Sequence, residues 1–74
     1  MNKRKLPFEC MILDDEPMSV CNPFSGESCI LEPDELAVYD VIMGANMMGH
    51  YDTVRKGTDW FRKHNPSAYM TLLD

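Results

Sequence analysis

Between Leu31 and His64 the chain carries helix start and stop signals that leave it little freedom. Pro33 suits a first helical position, where a missing N–H costs nothing. Asp34 and Glu35 set negative charge at the positive end of the helix dipole. Leu31 can staple onto Leu36 across the start, although Glu32 is a poor cap residue. Gly44 weakens this helix without stopping it, and Gly49 ends or bends it. Asn65-Pro66 then closes a second helix and opens a third, as a favoured cap followed by a favoured first residue. The spacing predicts helices over 32–49, 50–64 and 65–74. A basic tail at 1–5 and an extended or loop segment at 6–31 precede them. This is a single small domain of the mainly α class: a helical hairpin plus a short C-terminal helix, with an extended or short β N-terminal segment.

Helical periodicity sorts the faces unevenly. On the second helix Tyr51, Val54, Thr58 and Phe61 recur at three- and four-residue steps and predict one inward stripe, with Trp60 set to the other side. On the first, Leu36, Tyr39, Met43 and Met47 share a face expected to meet that stripe. Val38, Val41, Ile42 and Ala45 then form apolar surface to spare. With Trp60 they make a candidate interaction surface, and apolar surface of this kind suits a partner or a homodimer. Tyr69, Leu72 and Leu73 are expected to face inwards from the third helix.

The N-terminal third reads less clearly. Phe8–Leu13 is compatible with a short strand that ends at Asp14-Asp15-Glu16-Pro17, and Ser28–Leu31 is its expected partner. The Asn22–Gly26 stretch is a loop by composition, in which Phe24 is expected to plug into the core as an anchor.

Charge is divided along the chain. The net charge is −5, yet residues 6–49 hold only acids (Glu9, Asp14, Asp15, Glu16, Glu27, Glu32, Asp34, Glu35 and Asp40). Cations return on the second helix as Arg55, Lys56, Arg62 and Lys63. These four, with Trp60 and Tyr51 for stacking, are the residues a nucleic-acid-binding protein would use. The acidic total opposes that reading, because phosphates are repelled on average. No apolar run approaches the roughly 20 residues that span a bilayer. Lys3-Arg4-Lys5 is not followed by a signal-type apolar stretch, so a cytoplasmic protein without membrane contact is expected.

Catalytic and metal chemistry find little support. Cys10, Cys21 and Cys29 are an odd number without a close pair. That pattern fits reduced, partly buried thiols, with a Cys21–Cys29 bridge as the open alternative. A zinc site from these cysteines with His50 or His64 lacks the short ligand spacings that preorganise a tetrahedron. A nucleophile needs an oriented base beside it, and no spacing here selects one. Asp14-Asp15-Glu16 lacks the alternating ligands and central glycine of a calcium loop, and Asp34-Glu35 is accounted for as a helix start. No metal, no cofactor and no enzymatic activity are expected.

Asn22-Pro23-Phe24-Ser25-Gly26-Glu27-Ser28, Leu31-x-Pro33, Ala37-x-Tyr39-Asp40-x-Ile42-x-Gly44, Trp60-Phe61 and Ala68-Tyr69-Met70-x-Leu72-Leu73-Asp74 together resemble small proteins of tailed bacteriophages, notably those of aquatic bacteria. The similarity covers residues 21–74 and is to a family with no assigned activity. It implies a phage accessory protein in the host cytoplasm, acting on a host component, and it transfers no catalytic residue. The sequence thus points to a non-enzymatic protein–protein interaction module that forms a homodimer. Nucleic-acid binding through the basic face of the second helix is the alternative.

Overall fold

The computed structural model describes residues 5–12 and 15–73. Within them, strands β1 (Met18–Cys21) and β2 (Ser28–Leu31) are followed by helices α1 (Pro33–Met48) and α2 (Tyr51–His64). A short α3 (Pro66–Ala68) continues into a wider π-type turn over Tyr69–Leu73. The helical hairpin and the short C-terminal helix are those expected from the sequence. Lys3, Arg4, Leu13, Asp14 and Asp74 lie outside the described residues, and with them most of the basic tail and part of the first expected strand.

The helix punctuation works through specific atoms. The Glu35 carboxylate reaches back to accept the Glu32 N–H at 2.9 Å, satisfying one of the donors that a helix start leaves open. Gly49 adopts φ 77°, a left-handed conformation that costs glycine little. The Gly49 N–H then bonds the Asn46 carbonyl and the His50 N–H the Ala45 carbonyl, the paired bonds of a Schellman ending. Two helices joined by a tight turn result, not one kinked helix. Asn65 ends α2 through its N–H to the Phe61 carbonyl at 2.7 Å. Its side-chain oxygen meanwhile accepts the Ala68 N–H at 3.2 Å and so starts α3.

The strand pairing differs from expectation. β2 pairs antiparallel with β1, Met18 opposite Leu31 and Cys21 opposite Ser28, and Phe8–Ile12 is irregular. A short local loop closes with less entropy loss than the longer one that pairing with Phe8–Leu13 requires. The loop needs no aromatic anchor, because Asn22 holds it. The Asn22 N–H donates to the Glu27 carbonyl at 2.7 Å, and its side-chain oxygen accepts the Phe24 N–H at 2.9 Å. Phe24 is therefore 97 % exposed, against the expectation that it plugs into the core.

The core lies where α1, α2, β2 and the C-terminal turn converge. Phe61, Leu31, Ile42 and Val38 are the largest fully buried side chains, and Trp60, Ala68 and Leu72 join them. Complete burial of side chains of this kind stabilises by about 1.5–3 kcal/mol each. Trp60 packs edge-on against Phe61 at 5.3 Å and donates its indole N–H to the Lys5 carbonyl at 2.7 Å. Two adjacent aromatics can both be buried on α2 because the N-terminal segment covers the side that α1 does not.

Candidate interaction surface

The face of α1 turned toward α2 carries Val38, Ile42 and Ala45. Ile42 seats against Gly57, where a Cβ would come within 2.6 Å of the Ile42 Cδ1 and nearer still to its Cγ1. The absent side chain at 57 is thus the niche that fixes which side of α1 meets α2. This corrects the sequence reading of the interaction surface. Val38, Ile42, Ala45 and Trp60 are buried within the monomer and Val41 is half-buried, so only Val41 of that set borders solvent to any extent. Met47, expected to face α2, is 87 % exposed. Because α1 is apolar on several sides, its periodicity alone could not choose the inner one.

The outward face of α1 is centred on Gly44. Asp40, Val41, Met47 and Met48 lie three and four residues from it and so surround it on the helix surface. Beside this face runs an open cleft of about 430 Å³. It is lined by Val41, Gly44, Ala45 and Met48 of α1, by Phe8 and Glu9 of the N-terminal segment, and by His50 and Thr53 at the start of α2. A Cβ built on Gly44 would meet nothing within 4 Å. On either side of the turn between the helices, Met48 is 70 % and Tyr51 68 % exposed, with the polar His50 and Asp52 beside them. Gly44 is not among the site residues read from the sequence, and Tyr51, expected on the inward stripe of α2, lies outward instead because it stands in the first turn after Gly49, at the edge of the helix contact. The available signal is a helix-interior glycine with Val41, Met47 and Met48 at three of its four flanking positions and Asp40 at the fourth.

Elsewhere the candidate groups serve the fold or stand apart. Arg55, Lys56, Arg62 and Lys63 are all exposed on α2. Arg62, however, pairs with Asp59 at 2.6 Å and lies 5.5 Å from the centre of the Tyr69 ring. Trp60 is sealed inside and offers no ring for base stacking. The His64 ring lies 4.9 Å from that of Trp60, tilted by 46° to it. Glu35, the one buried carboxylate among the described residues, is only 3 % exposed, and it also accepts from the Asn65 amide at 3.1 Å.

The cysteines are free thiols, and the strand register separates two of them. Cys29 stands opposite Val20 while Cys21 stands opposite Ser28, so they project from opposite faces of the ribbon. Burial, reinforced by Asp34, pushes the Cys10 thiol above its ordinary range, and burial reinforced by Glu35 does the same to Cys29. Both shifts favour the neutral thiol over the nucleophilic thiolate. Partial burial, then Asp40, Cys29 and Cys21, likewise raise the Tyr39 phenol. Among the described residues no three His, Cys, Asp or Glu side chains come together in a way that could hold a metal ion. No described helix is long and apolar enough to cross a membrane. No protein-family model matches the chain, nor does any curated protein or solved structure.

Proposed function

We propose that this chain is a non-enzymatic interaction module, an accessory protein of the phage type, that binds a protein partner through the outward face of α1 and the adjoining turn. One observation carries the reading. Met47, Met48 and Tyr51 are large apolar side chains left exposed near the turn between the helices, and Met48 also lines the cleft beside Gly44. Contiguous apolar surface of a few hundred Å² is uncommon on a monomer that has no use for it, and flexible methionines suit a partner surface that must adapt.

A photoreactive residue placed at Met47, compared with one at Lys63 on α2, tests this in cells. Adducts formed from position 47 and absent from position 63 are expected. Equal labelling from both positions, or none from either, would remove the proposal.

Exposure of Arg55, Lys56 and Lys63 favours nucleic-acid binding as a second reading. The net charge of −5 and the Arg62–Asp59 pair weigh against it. It requires a salt-dependent mobility shift that disappears on changing Arg55 and Lys56 to Glu.

A further inference from the structure

Independently of the interaction reading above, we propose that residues 5–12 form a displaceable strap over α2. The strap opens as a unit while the ribbon, the hairpin and the C-terminal turn stay folded, and its opening uncovers Trp60. The way this segment is held sets it apart from the rest of the domain. It forms neither helix nor strand. Among the described residues one hydrogen bond ties it down, at its first residue, where the Lys5 carbonyl accepts the Trp60 indole N–H at 2.7 Å. Leu6, Phe8 and Cys10 pack against the core, yet each is only half-buried. The largest fully buried side chains, Phe61, Leu31, Ile42 and Val38, come from β2, α1 and α2 and none from the strap.

The other end of the segment is held still less. Met11 is 75 % and Ile12 47 % exposed, and Asp15, Glu16 and Pro17 beyond them are exposed as well. Release of the strap therefore breaks no buried contact at the approach to β1. Segments with few buried contacts and no backbone ladder open at free energies far below that of global unfolding. The chain bends at Pro7-Phe8, where proline fixes its own φ. That restriction limits the entropy gained on release, so the closed form remains the ground state.

What lies beneath gives the opening its consequence. Phe8 sits over Gly57, its Cε2 3.3 Å from where a Cβ would stand. Thr53, Gly57 and Trp60 recur at four- and three-residue steps and share one side of α2. Phe8 and Glu9 also line the open cleft that reaches from Val41 to Thr53. With the strap withdrawn, that cleft and the covered stretch at Gly57 and Trp60 become one groove along the seam between the helices. The strap thus withholds the chain's only tryptophan from solvent and from any partner.

Hydrogen exchange of the Trp60 indole N–H tests this in the full chain, as a single resonance that sub-denaturing urea is made to shift in rate. The indole proton should be protected, but at least about tenfold less than the amide of its neighbour Phe61, and its exchange should respond more weakly to urea, because opening exposes less surface than unfolding. Phe8→Ala weakens the seat without touching the Lys5–Trp60 bond, and it should speed the indole exchange by about tenfold or more. Equal protection and equal urea dependence of the two protons would overturn the proposal, since the strap would then open only when the domain unfolds. An indole that exchanges without protection would do so too, because it leaves no closed strap to open. Exchange indifferent to Phe8→Ala would confine the motion to Lys5 and overturn the strap as a unit.

Discussion

The two glycines inside helices, Gly57 on α2 and Gly44 on α1, occupy the closed and open sides of the same helical hairpin. At Gly57 the missing side chain is filled by Ile42, with Phe8 as the next neighbour at 3.3 Å from where a Cβ would stand. At Gly44 the corresponding space is empty. Both pay the same penalty in helix propensity, and only the first recovers it within the molecule. A glycine that the fold requires and one that the fold merely tolerates are thus distinguished by what a methyl group would touch.

Three substitutions should break or sharpen that contrast. The largest effect is expected at the closed side, from Asn65→Ala. It removes the cap of α3 and an amide donor to the buried Glu35 carboxylate, with a loss of about 2–3 kcal/mol. Chemical denaturation measures it, and Asn65→Asp should keep the cap while setting two carboxylates side by side. Gly57→Ala comes next. Forcing Ile42 out of its niche costs about 1–3 kcal/mol, and the gain in helix propensity offsets about 1 kcal/mol of that. A net loss of about 1 kcal/mol is expected, and in a domain of this size it lowers the melting temperature by about 4–8 °C. Gly44→Ala gives the smallest change and the opposite sign, a gain of up to about 1 kcal/mol in the monomer. If thermal melts show Gly57→Ala and Gly44→Ala moving stability in the same direction, the distinction between the two sides fails.

How much of this was legible in the sequence depends on the range of the interaction involved. Signals carried by one or two neighbouring residues read correctly: Pro33 at a helix start, Gly49 at a helix end, Asn65-Pro66 as a shared boundary. Features that rest on a distant partner did not. Which face of α1 turns inward depends on a niche at Gly57, and nothing local to Val38 or Ile42 announces it. Trp60 looked exposed because the segment that covers it lies at the other end of the chain, near Lys5. β1 went unnoticed because Met18–Cys21 is short and follows a proline, so a longer apolar stretch beside it drew the assignment. Val38, Ile42 and Ala45, read from the sequence as surplus apolar surface, are buried within the monomer for the same reason. An apolar residue on a helix that is apolar all round says that something will cover it, without saying whether that is its own chain.

The amide of Asn65 ties the first turn of α1 to the first turn of α3 through a single carboxylate, Glu35, which also holds the Glu32 N–H. Each helix start makes its own capping bond, and the Asn65–Glu35 bond couples the two although the whole length of the hairpin separates them in the chain. Fraying of the C-terminal segment therefore removes a donor from the buried Glu35 carboxylate at the beginning of α1, and that coupling favours cooperative unfolding of the domain.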